Sequence, residues 1–203
     1  MELYFSPLAC SLATRIALYE SGKPAKFVEV DPKTKRTLED GADYLAVYPL
    51  GLVPVLRTDA GDLLTENAAI LQYVGPAPNE NRERLHQWLC FVGTELHKGV
   101  FAPVFDKKAS PEVKAWALSK VGSRLDWLAS HLEGREFLLD EFSVADAYLF
   151  TVLNWTLAVP QIDLKKWPAL DAYVSRLRKR PSIARAFEEE LPLYRAEQAR
   201  TTA

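Results

Sequence analysis

Cys10 stands three residues after Pro7 in SPLACSLATRIALYESGKP (residues 6–24), directly before a run with helical spacing. Leu12, Ile16 and Tyr19 fall at i, i+4 and i+7, one face for a helix to bury. Gly22 and Pro24 then stop it. Cys10 therefore belongs at or just before a helix N-terminus, where unpaired N–H groups and the macrodipole favour an anion. A thiol so placed ionises below about pH 8.5, and the thiolate is the nucleophile. The competing reading is a small packed hydrophobe. Ser11-Leu12-Ala13 follow, so no second cysteine closes a dithiol pair, and Cys10 acts as a monothiol if it acts.

Three other stretches have chemistry in them. In GLVPVL (51–56), Pro54 opens a strand, a place proline tolerates. A cis Val53–Pro54 bond accounts for it and leaves the Val53 backbone to pair with an extended ligand. In LTENAAI (64–70), Glu66 ends a strand and Asn67 caps the next helix. A ligand carboxylate suits the N–H groups there and an ammonium suits Glu66, together an α-amino-acid end. The alternative is a plain cap beside a dipole-compensating acid. His97, in GTELHKG (93–99), shares a helix-wheel face with His86, Cys90 and Gly93, beside the apolar stripe; Gly93 permits close approach there. A lone helical histidine is a site residue or a structural one.

The elements that position these residues fall into two halves. ELYF (2–5) and KFVEV (26–30) are short strands flanking the first helix, a β-α-β unit with a parallel pair. VPVLRT (53–58) and DLLTE (62–66) are joined by Asp59-Ala60-Gly61 as a hairpin, and a helix from Asn67 to about Tyr73 follows. Residues 1–75 form a small mixed α/β domain. GPAPNENR (75–82) is a linker. Residues 82–203 show only helical periodicity. Leu85, Trp88, Leu89, Val92 and Leu96 form one stripe. A helix opens at Ser110-Pro111-Glu112 with Leu118, Val121, Leu125, Leu128 and Leu132 as its stripe. Ser143 to Val159 is apolar nearly all round, a bundle-centre helix. Its Ser143 and Asp146 make a capping box, and Pro160 ends it. Two shorter helices follow near 168–179 and 181–190.

Composition narrows the function. The chain has 203 residues and a formal net charge of −2, with no basic block for nucleic acid and no acidic tail. Met-Glu-Leu-Tyr-Phe is no signal peptide. No apolar run reaches the roughly 18 residues of a membrane span. Two cysteines, Cys10 and Cys90, are too few for a disulfide scaffold or a four-ligand zinc site. A reducing, cytoplasmic setting without a metal is expected.

In order along the chain, SPLACSLATRIALYESGK, DYLAVYPLGLVPVL, LLTENAAILQYV, TELHKG and SVADAYLFTVLNW resemble a cytosolic glutathione S-transferase, specifically the bacterial beta class. The resemblance covers nearly the whole chain. It implies an α/β thioredoxin-like N-terminal domain, an all-α C-terminal domain, a homodimer, and glutathione as co-substrate with a small hydrophobic electrophile. It makes Cys10 the residue facing the glutathione sulfur, with Ser11 beside it as a donor. It pairs Val53, before cis-Pro54, with the tripeptide backbone, puts Glu66 and Asn67 on the γ-glutamyl end and Lys35 on the glycyl carboxylate, brings His97 from the helical domain, and lines the electrophile pocket with Trp155.

Some positions depart from the pattern. Phe5 stands where relatives commonly carry Tyr, and Leu50 and Leu52 replace polar residues around Gly51. Cys90 stands where relatives often carry a polar amide. The linker after Tyr73 is short, and HKGVFAP (97–103) holds an extra residue. The implied chemistry is conjugation of glutathione to electrophiles, thiol–disulfide exchange through Cys10, or both. Two other readings remain: a catalytically weak transferase-like binding or regulatory protein, and a glutathione-dependent isomerase or dehalogenase of the same superfamily.

Overall fold

The computed structural model describes residues 1–76 and 82–202; most of the expected 75–82 linker, residues 77–81, lies outside the described residues. The chain divides into two compact units, Met1–Pro76 with Pro181–Ala203, and Ala77–Arg180.

In the first unit, β1 (Glu2–Phe5), α1 (Ser11–Ser21) and β2 (Lys26–Glu29) form the expected β-α-β crossover, with Leu3 opposite Phe27 and Tyr4 opposite Val28. Gly22 ends α1 at φ 64°, a left-handed position that suits glycine. β3 (Val55–Arg57) pairs antiparallel with β1, and β4 (Leu63–Leu64) closes the hairpin at the edge, giving the strand order β2-β1-β3-β4. This mixed four-stranded sheet is thioredoxin-like. Strand alternation sends Tyr4, Val28 and Val55 to one face, where Val30 and Tyr44 join them in a core. Leu3 and Phe5 point to the other face, and there the Arg15 side chain of α1 lies over the Phe5 and Phe27 rings. α2 (Asn67–Val74) packs on α1.

The last helix, α9 (Pro181–Thr202), also packs on α1. Packing thus groups it with the first unit and not with the residues before it, where the 82–203 assignment had put it. The reason is polar: Arg15 of α1 is buried and takes its carboxylates from α9. α9 also runs well past the expected end near 190, with Pro192 inside it.

In the second unit, α3 (Arg82–Phe91) runs into a ten-residue π-helical stretch, Val92–Phe101, and then α4 (Ala102–Phe105). The stretch closes with an i→i+5 bond, Ala102 N–H to the His97 carbonyl. A π turn accommodates one more residue than an α turn, which accounts for the extra residue in HKGVFAP. Gly99 is needed within it: a Cβ there would lie 2.8 Å from the Thr94 carbonyl oxygen. The single helix expected from Ser110 to Leu132 is two, α5 (Pro111–Ser119) and α6 (Val121–Leu132), broken at Lys120. α7 (Val144–Asn154) is buried along its whole length, as its all-round apolar sequence demands, and a 3-10 turn (Trp155–Ala158) follows before α8 (Pro168–Leu177).

Asp146, fully buried, holds the start of α7. Its Oδ2 accepts the Ser143 N–H at 2.8 Å and the Ser143 hydroxyl at 2.9 Å. Its Oδ1 accepts the Leu138 N–H and the Tyr173 hydroxyl, each at 2.8 Å. Burial pushes the carboxyl above its ordinary range, and these four donors oppose that. Asp146→Ala strands the buried Leu138 and Tyr173 donors, at about 1–3 kcal/mol each, whereas Ser143→Ala keeps the bond from its own N–H and costs about 0.5–2 kcal/mol. Urea midpoints should therefore fall further for Asp146→Ala; the opposite order would show that the hydroxyl carries the cap.

Candidate functional site

Cys10 is the N-cap of α1 at φ −62°, ψ −20°, and is partly exposed. Its Sγ–H donates to the Val53 carbonyl at 3.2 Å. The Val53–Pro54 bond is cis, as the strand-opening proline suggested. The carbonyl of Cys10 accepts from Asn67 Nδ2 at 3.1 Å, and Asn67 Oδ1 accepts from the Thr14 hydroxyl at 2.9 Å. One side chain thus ties the start of α2 to the start of α1, and Cys10, Val53 and Asn67 are joined by direct bonds.

Two expectations at this point need correction. Asn67 is not the cap of α2 but its first residue; Glu66 is the N-cap. The Asn67 amide is drawn into α1 by Thr14 and Cys10, so it does not fold back on its own helix. Ser11 does not offer its hydroxyl to a ligand: it is fully buried, donates to the Ser6 carbonyl at 3.1 Å and accepts from the Ser6 N–H at 3.3 Å. It fastens the loop before Cys10.

Lys35 lies over the loop before cis-Pro54. Its Nζ donates to the Gly51 carbonyl at 3.0 Å, and a Cβ at Gly51 (φ 60°) would meet the Lys35 stem at 3.1 and 3.2 Å. Glycine at 51 lets the lysine cross. The Tyr44 hydroxyl, whose pKa burial raises, donates to the Leu52 carbonyl at 2.7 Å and fixes the same loop from beneath. Leu50 and Leu52 flank Gly51 at 67% and 49% exposure, an apolar rim.

One feature of the first unit went unforeseen. Among the described residues, the non-glycine positions at positive φ are Leu8 (56°), Lys35 (57°) and Glu66 (63°). Each is one of the candidate residues or two residues from Cys10. Such backbone costs on the order of 1–3 kcal/mol and gathers where function over-determines the chain. The signal is conformational, and leucine, lysine and glutamate carry no compositional mark of it.

In the second unit, the His97 Nδ1 lies 2.7 Å from the Tyr148 hydroxyl, and its ring meets Trp155 edge-on at 5.0 Å between centroids. Phe101 and Phe105 complete the aromatic cluster around Trp155. Gly93 faces the Tyr148 ring, but a Cβ there would sit 3.7 Å from the hydroxyl, an ordinary contact, so no close approach requires the glycine. Tyr148 was missed because it reads as one more core aromatic of α7. Burial, with the charge of Lys98 adding to it, lowers His97 to about 4, so the ring is neutral at neutral pH. Among the described residues no group of three or more His, Cys, Asp or Glu could hold a metal, and no helix is long and apolar enough to cross a membrane.

A four-stranded mixed sheet with a cysteine at the first helix N-terminus, opposite a cis-proline loop, defines a thioredoxin-like unit. Residues 9–76 match the family model described as glutathione S-transferase, N-terminal domain, and residues 88–181 the one described as glutathione S-transferase, C-terminal domain. Glutathione S-transferase GstA of Escherichia coli O157:H7 is 39% identical over 201 residues, 94% of this chain and 98% of that protein. A sphingomonad glutathione S-transferase complexed with glutathione superposes with a TM-score of 0.87 at 42% identity, covering 94% of this chain and 98% of that one. The bacterial beta-class glutathione S-transferase of Sphingomonas chungbukensis gives the same TM-score, identity and coverage. The chain belongs to the glutathione S-transferase family.

The lowered His97 fixes a sign. Its folded value of about 4 lies below the ordinary 6.5, so the neutral ring stabilises the fold fully above about pH 6.5. That contribution is lost as pH falls from 6.5 through 4. Proton NMR of the imidazoles should show one ring neutral to near pH 4, its midpoint moving in Tyr148→Phe; a His97 that titrates near 6.5 would refute the burial assigned to it.

Proposed function

We propose that this glutathione S-transferase binds glutathione in the first unit and uses Cys10 at the reaction centre, as a beta-class enzyme. The observation that carries the reading is the joined set of Cys10 at a helix N-terminus, the Val53 carbonyl before cis-Pro54, and Asn67. In this reading the tripeptide backbone pairs with Val53. Its γ-glutamyl end lies at Glu66 and the start of α2, and its glycyl carboxylate at Lys35. Asn67 acts by holding α2 against Cys10, and Ser11 by holding the loop. His97 serves glutathione, and the aromatic cluster at Trp155 takes an apolar electrophile, a detoxifying role.

Two reactions follow. In conjugation, the glutathione thiolate attacks the electrophile, a C–S bond forms, and the electrophile's leaving group departs or its acceptor carbon is later protonated. In exchange, the Cys10 thiolate attacks a glutathionyl disulfide. The S–S bond breaks, a Cys10–glutathione mixed disulfide forms, and the other sulfur leaves as thiolate. A second glutathione thiolate then restores Cys10, giving oxidised glutathione. Both reactions want free thiols and hence a reducing compartment such as the cytoplasm.

Oxidised glutathione should add one glutathionyl group at Cys10 and none at Cys90. Cys10→Ala should abolish exchange, retain most glutathione binding and lose conjugation only in part, because the reacting sulfur there belongs to glutathione. Alkylation rate against pH, read by peptide mass, checks the thiol. A Cys10 that titrates at or above about 8.5, or resists until unfolding, would refute its activation.

A homodimer belongs to the same reading, since the β3–β4 hairpin and α2 leave Leu63 and Tyr73 exposed at 41% and 48%. Light scattering should give twice the chain mass at micromolar concentration, and a monomer would refute it.

A further inference from the structure

Cys10 hangs on a short loop, residues 6–10, that α9 grips at two points. The Leu8 N–H donates to Glu190 Oε2 at 2.7 Å, and the Ser6 hydroxyl donates to Glu197 Oε2 at 3.1 Å. Leu8 is one of the three positive-φ residues, so its backbone needs an outside hold to keep that conformation. Glu190 supplies it from full burial, its second oxygen accepting from Arg15 Nε at 2.7 Å. Arg15 is buried too, on the helix that Cys10 caps. The two carboxylate oxygens thus join the two sides of the thiol, the loop that leads into Cys10 and the helix that leads away.

We propose that Glu190 is a positioning residue for Cys10, acting through the Leu8 N–H and Arg15. The inference rests on the reading of Cys10 as the reacting thiol. No feature of α9 in the sequence pointed to it, since Glu188-Glu189-Glu190 has the look of a solvated charge run.

The groups that face Glu190 are Arg15, with Tyr19 one turn on, from α1, the Leu8 N–H from the loop, and Glu189, with Arg185 beyond it, on α9 itself. Burial raises the Glu190 carboxyl to about 7 and Arg15 opposes that. Burial makes the charged form costlier than in the unfolded chain, although both oxygens are placed as acceptors for it. Below about 4.5 the protonated carboxyl's contribution to stability is full, and it is lost as pH rises through about 7. Glu190 thus changes charge in a range where an activated thiol also titrates, and the Cys10 profile should carry a second inflection near pH 7.

The test is the alkylation rate of Cys10 against pH in the full-length protein, with iodoacetamide as probe and Cys90 as the internal reference. Glutamine keeps the shape of Glu190 but has one acceptor oxygen, so either Leu8 or Arg15 then faces an NH2 donor. Glu190→Gln should slow Cys10 by up to about thirtyfold at neutral pH, the most a helix terminus gives an anion. It should also remove the inflection near pH 7 and leave Cys90 unchanged. Glu39→Ala, which removes the exposed ion pair with Lys26, should leave both thiols at wild-type rates.

If Glu190→Gln does not fold, the paired replacement Arg15→Met with Glu190→Met removes both charges together, an exchange buried ion pairs tolerate. It should show the same slowing. A Cys10 profile that superimposes on wild type in whichever variant folds overturns the inference while leaving the reacting thiol in place. A wild-type Cys10 that behaves as an ordinary thiol overturns the functional reading and this inference with it.

Discussion

A buried guanidinium organises the first unit. Arg15 is 4% exposed, its charge 3.8 Å above the Phe27 ring and 4.5 Å from that of Phe5. A cation taken that far from water must be paired or it costs several kcal/mol. The sheet meets the guanidinium with the Phe5 and Phe27 ring faces, and its carboxylates come from α9. Glu190 and Glu189 of α9 supply them at 2.7 and 2.8 Å, 175 and 174 residues away in sequence. The chain's end is thereby bound to its beginning. Breaking such a pair by removing one partner costs about 3–5 kcal/mol, although replacing both with apolar groups is often neutral. The pair is better understood as a specifier of where α9 lies than as a source of net stability.

That constraint explains what the sequence hid. β1 was legible because ELYF alternates between two faces, and α1 because its apolar spacing ends at a glycine that takes φ 64°. The cis peptide was legible because a strand tolerates proline at so few positions. The end of α9 was not. Pro192 removes a backbone donor and crowds the preceding turn, and by local rules it closes a helix. The helix continues because it is fastened on both sides of the proline, by Glu189 and Glu190 before it and by Glu197 and Arg200 after it. Tertiary contacts outweigh local propensity here, and no window of sequence contains them.

The candidate site divides along the same line. Cys10, Val53 and Asn67 are identified by local chemistry: a helix start, a strand-opening proline and an amide at a second helix start. What local chemistry does not tell is where each side chain turns. Asn67 and Ser11 both face inward, because buried polar groups are satisfied by their nearest buried partners. In the second unit an α-helical wheel puts His97 beside a stripe. The π-helical stretch gives it Tyr148 instead, in a stretch that needs glycine at 99, where a Cβ would lie 2.8 Å from the Thr94 carbonyl oxygen.

Two of the influences on Cys10 oppose each other. The Val53 carbonyl accepts from Sγ–H, which favours the thiol, because a thiolate has no proton to donate. The start of α1 favours the thiolate, through the macrodipole and the N–H groups of the first turn. A sulfhydryl is a weak donor, so its bond is worth less than the typical net of about 1 kcal/mol. The helix terminus contributes about 0.3–1 kcal/mol on the surface and up to about 2 where partly buried, as Cys10 is. The pull toward the anion acts only while the loop keeps the sulfur at the helix start. A sulfur that drifts from the first turn loses that pull toward the anion. In the proposed reading, activation of Cys10 therefore depends on the 6–10 loop and on what holds it, as well as on the cysteine.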